Sequence, residues 1–288
     1  MKKLKETGKT HKVLIQWGVL FMKKILSVLL LCLLVSSSAW AGKIETITLF
    51  DRQTAPDTSV LTGADEEQKA RYFPEGKLNG NVLAFLVKMK GRAIVFDTGL
   101  PDGRIVAELK KNGLASADVK TILMTHLHRD HYGGLVNAEG KAAFPDADVY
   151  VSRAERAYWV DEKKDPNVIH ALEQYAGRVH VFDFGDKVLP GVKALDTSGH
   201  TPGHTSFMLK SGKEKLLIIG DIIHFPRIQL PLPEVAVRYD VDPAKAIQAR
   251  KRIFDYAVEN RIPMAGMHVP FPGVLRLKKA GAGYEEDL

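Results

Sequence analysis

The stretch Met124-Thr-His-Leu-His-Arg-Asp-His-Tyr-Gly-Gly134 crowds His126, His128, Asp130 and His131 into six residues. Two readings compete for it: a metal site at the end of a strand, or a solvated loop rich in histidine. The run before it, Val119–Met124, is apolar and reads as a strand leading into the cluster. On an extended segment residues i and i+2 point the same way, so His126 and His128 can share one ion. The chain must then turn, which lets Asp130 and His131 face a second ion beside the first. Gly133-Gly134 leaves room for that turn and for close backbone approach, and Arg129 is expected to face solvent.

Imidazole nitrogen and carboxylate oxygen are natural ligands for zinc where no thiolate is available. Four side chains cannot complete two such ions and still leave positions open for chemistry, so more donors must arrive from elsewhere. His200 sits in Thr197-Ser-Gly-His-Thr-Pro-Gly-His204, Asp221 ends the apolar run Leu216–Gly220, and His268 follows Met264–Met267. Each stands at the end of an expected strand, where side chains from separate strands can converge on one rim. Taken singly, Asp221 also reads as a turn residue and His268 as a buried, hydrogen-bonded histidine.

Elsewhere, paired strand-like runs alternate with helical ones. Strands are expected at Glu45–Phe50, Val82–Met89, Ala93–Asp97, Ala147–Val151, Val179–Phe184, Val192–Leu195, Ser206–Leu209 and Lys215–Ile219, with hairpin turns at Lys90-Gly91 and Ser211-Gly212-Lys213. Helical spacing marks Pro101–Lys111, a segment capped by Ser152, Asp165–Ala176, and a segment opened by Asp242-Pro243 and running to about Glu259. This pattern predicts an α/β fold, a four-layer αββα sandwich of two mixed β-sheets with helices outside. It forms one domain over residues 42–288.

The chain has 288 residues, 45% of them hydrophobic, enough for one sizeable core. Its formal charge of +7 is misleading, because residues 1–41 hold seven lysines and one glutamate, leaving 34 basic against 33 acidic residues. The balance argues against a nucleic-acid footprint. Residues 1–41 read as a signal-peptide region: Met22-Lys23-Lys24 opens a second start, Ile25–Val35 is the apolar segment, and Ala39-Trp40-Ala41 predicts cleavage after Ala41. The lone cysteine, Cys32, lies within that segment, so the mature chain has neither disulfide nor thiolate ligand. A periplasmic or secreted protein without membrane association after cleavage is expected.

The order HxHxDH, GHTPGH, an apolar run ending in Gly-Asp, and a final histidine resembles the metallo-β-lactamase-fold hydrolases over about residues 45–278. Within them the chain is most similar to the acyl-homoserine lactonase and methyl parathion hydrolase group. The resemblance implies two divalent ions, zinc first, with manganese, cobalt or iron as alternatives. It places His126, His128 and His200 on one ion, Asp130, His131 and His268 on the other, and Asp221 bridging. His204 then orients a ligand, and Asp97 belongs to the shell beneath the site.

The implied reaction is hydrolysis of a small, mostly apolar lactone, ester or organophosphate triester by metal-activated water. Asp130, or water on the second ion, is the candidate proton carrier to the leaving group. A bridging aspartate separates the chain from typical β-lactamases of this fold. Acyl-homoserine lactonases place a tyrosine three residues after that aspartate, whereas this chain has His224, a candidate pocket residue. Phe225 and Phe271 are further pocket candidates, and Tyr158 and Trp159 read as cleft lining or as helix packing. The alternative function is a non-catalytic metal-binding or partner-binding protein that keeps the fold, and a homodimer stays open.

Overall fold

The computed structural model describes residues 42–287. The signal region, its alternative start and Cys32 lie outside them. Residues from Gly42 onward cluster as one compact unit. Among the described residues, no helix is long and apolar enough to cross a membrane.

The larger sheet has six strands, in the order β1 (Ile44–Thr54), β2 (Gly80–Met89), β3 (Arg92–Phe96), β4 (Thr121–Leu123), β5 (Asp148–Ser152) and β6 (Val179–Phe182). β1, β2 and β3 pair antiparallel, and β3 to β6 pair parallel. The second sheet contains β7 (Val192–Asp196), β8 (Thr205–Ser211), β9 (Glu214–Gly220), β10 (Met264–Gly266) and β11 (Val274–Leu275). They lie side by side in that order, with only β9 and β10 parallel.

The layers follow from the period of two along each strand. In β2, Leu83, Phe85 and Val87 enter a core shared with Phe207, Leu209 and Ile218 of the second sheet. Their neighbours Ala84 and Leu86 face the other way, into a core with Leu109, Val168 and Leu172. In β9, Ile218 faces the first sheet, while Leu217 and Ile219 pack on Ile253 and Phe254. Helix, sheet, sheet and helix therefore stack as the pattern predicted. Runs apolar on both faces are the mark of strands covered on both sides.

Three helical expectations shift in detail. The helix expected from Pro101 begins only at Ile105 and runs to Lys111. Leu100-Pro101-Asp102-Gly103 instead forms a turn, closed by the Gly103 amide donating to Leu100 O. The buried Asp51 carboxylate accepts from the Leu100 and Arg104 amides across it. Ser152 does cap a helix, Arg153–Arg156, but this passes into a π-helical turn at Ala157–Glu162. Asp165 caps a helix that ends at Glu173.

A helix at Glu66–Tyr72, with a capping box between Asp65 and Gln68, was not anticipated. Nor were the two small two-stranded sheets, the long-range pair Leu61–Thr62 with Ala236–Val237 and the hairpin of Leu277–Ala280 with Gly283–Glu286.

The long helix Pro243–Asn260 is capped by Asp242, as its sequence indicated. It carries a fully buried cation on its inner face. The Arg250 guanidinium donates to the carbonyls of Ile222 at 2.7 Å and of Pro233 and Val235 at 2.8 Å. Burial pulls its pKa down to about 10.

Candidate metal centre

The site lies where strands end, at one edge of the two sheets. β4 stops at Leu123, and Met124-Thr125 lead into His126 and His128. The chain then turns through the short helix Arg129–Tyr132, which carries Asp130 and His131. Gly134 permits this turn, because a Cβ there would stand 2.0 Å from Thr98 O. His200 comes from the loop between β7 and β8, Asp221 from the end of β9, and His268 from the end of β10. Gly220 precedes Asp221 with φ +55°, and a Cβ there would meet His204 Nε2 at 2.6 Å.

Two groups of donors gather around Asp221. His126, His128, His200 and Asp221 bring their ligand atoms within 4.8 Å of one another, and so do Asp130, His131 and His268. Asp221 Oδ2 lies 3.2 Å from His200 Nε2 and 3.1 Å from His268 Nε2, while its Oδ1 lies 3.2 Å from His131 Nε2. The aspartate thus touches both groups.

The opposite face of each ring shows why the nitrogens point inward. Thr125 Oγ1 donates to Asp97 at 2.7 Å and lies 3.1 Å from His126 Nδ1, so it can accept that ring's proton. His131 Nδ1 meets Asp97 Oδ2 at 2.7 Å, His200 Nδ1 meets Asp240 Oδ1 at 2.8 Å, and His268 Nδ1 meets the Asn81 carbonyl at 2.6 Å. An oxygen at Nδ1 fixes the proton there and leaves Nε2 with a lone pair. His128 is turned the other way, its Nδ1 standing 3.0 Å from His126 Nε2 and 2.9 Å from His200 Nε2.

This donor set fits a pair of hard-to-borderline divalent ions. His131 Nε2 and Asp221 Oδ1 are buried, face each other and have no hydrogen-bond partner. Orphaned buried atoms of this kind are costly in a protein interior, and cations between them would satisfy both.

The electrostatics of the site are those of crowded, buried groups. Burial drives His126 well below its ordinary value, and holds His128 near 3, with His200 adding to the effect. His204 is lowered to about 3 by burial and by His200. Burial pushes Asp221 up, but His131, His268 and His126 outweigh it and hold the carboxyl well below the usual range. For His200, burial is outweighed by hydrogen bonds to Asp221 and Asp240, which raise it to about 9. Burial likewise raises the Asp130 carboxyl, and the charges of His131 and His268 reverse this to a net lowering.

A cleft of about 680 Å³ opens onto this centre. His128, Asp130, His200, Asp221 and His268 face it, and Pro56, Val82 and Phe225 give it an apolar wall. Arg129 is exposed, as expected, and stands at its rim.

Among the other sequence candidates, Asp97 lies beneath the site, bonded to Thr125 and His131. His204 Nε2 accepts from the Asp221 amide at 2.9 Å, and its Nδ1 lies 2.8 Å from Thr197 Oγ1. It orients the aspartate's backbone and offers no nitrogen to the centre. His224 lies closer in than a pocket wall requires: its Nε2 is 3.1 Å from Asp221 Oδ2, and it forms a donor group with Asp221 and His268. Phe271 does not reach the cleft lining; it is 62% exposed and packs edge-on against Phe50 of β1. Tyr158 is a buried packing residue, while Trp159 donates to Glu155 and lies 5.6 Å from the His128 ring.

Three partners escaped the sequence reading. Asp240, Asn81 and Glu155 brace the ligands from positions far along the chain, with no spacing to betray them. Tyr239, on the cleft wall, shows only as the neighbour of Asp240.

Two mixed sheets stacked between helices, with histidines and aspartates gathered at the strand ends, define a class of metal-site fold. The chain belongs to the metallo-beta-lactamase superfamily, whose family model matches residues 79–265. It is similar to an N-acyl homoserine lactonase of Bacillus cereus, 28% identical over 178 residues, covering 51% of this chain and 65% of that protein. A Bacillus sp lactonase of the same name is 31% identical over 148 residues, 49% of this chain and 52% of its own length. The chain therefore spans less than two thirds of these relatives.

Among solved structures, a hydrolase named AbOPH in the beta lactamase superfamily is 30% identical, with a TM-score of 0.75 over 85% of this chain and 94% of its own. AidC, a dizinc quorum-quenching lactonase, shares the fold with a TM-score of 0.80 at 24% identity, over 86% of this chain and 95% of its own.

Proposed function

We propose that this chain is an exported, dinuclear metal-dependent hydrolase of a small, mostly apolar lactone, ester or organophosphate triester. The observation that carries it is the set of rings held from behind, by an oxygen at Nδ1, with Nε2 converging on Asp221. His126, His128 and His200 would hold one ion, Asp130, His131 and His268 the other, and Asp221 both. Two divalent ions there supply an activated water and a cationic partner for the developing oxyanion. Zinc suits the ligand set best, with manganese, cobalt and iron as alternatives.

The chain's own residues do the rest. Pro56, Val82 and Phe225 receive the apolar body of the substrate and keep bulk water from the scissile group. Arg129 at the rim offers donors to a polar headgroup. Asp130 Oδ2 lies 3.4 Å from His268 Nε2, its side chain is 30% exposed, and it faces the cleft. As a carboxylate it is placed to take up the proton that the attacking water gives up and to hand it to the leaving oxygen. No serine or cysteine nucleophile is required. The lactonase names of two relatives favour a lactone. Export rests on the pattern of residues 1–41, as does a periplasmic or secreted location.

The test is a side-by-side assay of the metal-loaded protein on a long-chain acyl-homoserine lactone and on methyl parathion, before and after chelation. Turnover that disappears with chelator and returns with zinc, manganese or cobalt supports the reading. Two ions bound and exchanged without turnover of any lactone, ester or triester would favour the non-catalytic alternative.

A further inference from the structure

Glu155 is 1% exposed, and among the described residues its carboxylate forms no ion pair. It accepts instead from four donors on three segments. Oε1 takes the Leu127 amide at 2.8 Å and Trp159 Nε1 at 2.7 Å. Oε2 takes Thr201 Oγ1 at 2.7 Å and the Gly203 amide at 3.0 Å. Leu127 lies between His126 and His128, and Thr201 follows His200. Gly203 packs so tightly here that a Cβ would stand 2.0 Å from the Glu155 amide. The Ser152 hydroxyl donates to Gly203 O at 2.7 Å and closes the same junction from the other side.

We infer that Glu155 is a positioning residue which fastens the His126–His128 segment to the His200 loop and so sets the spacing of one ion's three histidines. The inference rests on the metal-site reading above. A buried carboxylate with four donors persists only where both oxygens are fully used. Trp159, four residues after Glu155 on the same helical face, donates to it and sets its indole against His128. Asp130, His131 and His268 make none of these contacts, so the effect is confined to one half of the site.

Glu155→Gln tests it. The amide nitrogen cannot accept from the Gly203 N–H, so one donor is left facing another. Zinc titrated into the ion-free full chain against a competing chelator should bind two ions in the wild type. In E155Q one of the two should weaken about 10- to 100-fold, the size expected when a group bracing a ligand is lost, and the other should be unchanged. Trp159 supplies a second readout. Its fluorescence, isolated by subtracting a W159F chain, should follow the ion that E155Q weakens.

Thr201→Val removes one donor and should weaken the same ion less, which keeps the test open if E155Q does not fold. Two ions bound by both variants with wild-type affinity would overturn the inference and leave the proposed function standing. Equal weakening of both ions would also overturn it. A wild-type chain that binds no ion would overturn both.

Discussion

The two halves of the centre are built differently. His126, His128 and His200 lie in segments tied together by buried carboxylates, Glu155 between the loops and Asp240 behind His200. On the other side, His131 rests on Asp97 and His268 on a main-chain carbonyl. Asp130 lies 3.8 Å from His131 and 3.4 Å from His268, and its side chain is 30% exposed. One half is braced from behind at His126 and His200 and tied between its segments by Glu155. The other ends in a carboxylate that is partly exposed to the cleft. A holding half and a reacting half make a useful division, since a proton carrier must change partners during a reaction while an ion's anchor must not.

The comparison can be broken first at the residue common to both halves. Asp221→Ala should empty both positions and reduce hydrolysis to background, with elemental analysis reading the ions. Retention of two ions would remove its bridging role. Asp130→Asn should sharpen the division: about 100- to 10,000-fold lower turnover, the size of a lost acid–base group, with the fold intact by circular dichroism. Near wild-type turnover would show that the reacting half lies elsewhere.

His200→Ala should lose an ion. His204→Ala should keep both ions, weakened about 10- to 100-fold, because its ring orients the Asp221 amide from behind. Equal metal loss in the two would make His204 a ligand.

A smaller effect concerns the ion-free protein and pH. His204 and His224, lowered by burial to about 3 and about 4, contribute stability that is present above their ordinary 6.5 and lost as pH falls through those values. His200, raised to about 9, contributes stability present below 6.5 and lost as pH rises through 9. These groups place the stability maximum of the ion-free chain near pH 6.5. Each depressed imidazole removes about 1 kcal/mol per pH unit below it. Thermal midpoints across pH 5 to 9 check this, and a monotonic rise through pH 9 would contradict it. The smallest effect is expected at Phe271, outside the cleft lining: Phe271→Ala should shift turnover by less than about twofold, given its exposure.

The sequence carried the donors because their spacing is short or their place is at a strand end. HxHxDH is local, and His200, Asp221 and His268 each follow an apolar run. The braces are a different matter. Glu155 sits in the first turn of a helix, where glutamate is favoured on helical grounds alone, and three of its four donors lie 28 to 48 residues away. Asp240 is 40 residues from His200. Such pairs depend on tertiary folding and leave no period to read. Phe271 shows the converse. Nearness to His268 in sequence says nothing about direction, and the loop turns its ring toward Phe50. The helix at Glu66–Tyr72 was readable from Asp65 and Gln68, a capping box in plain view.

Arg250 has a bearing on how the cleft can change. By gripping the carbonyls of Ile222, Pro233 and Val235, it pins both ends of the segment between Asp221 and Tyr239 to the long helix. Gln229 adds a second fastening, accepting from the amides of His224 and Phe225 and donating to Val235 O. This part of the wall is masonry and not a door. Substrate preference should therefore respond to exchange of the side chains mounted on it, at 224, 225 and 239. Lengthening the segment would pull three carbonyls off a buried cation, so new specificities are reached by re-facing the wall before rebuilding it.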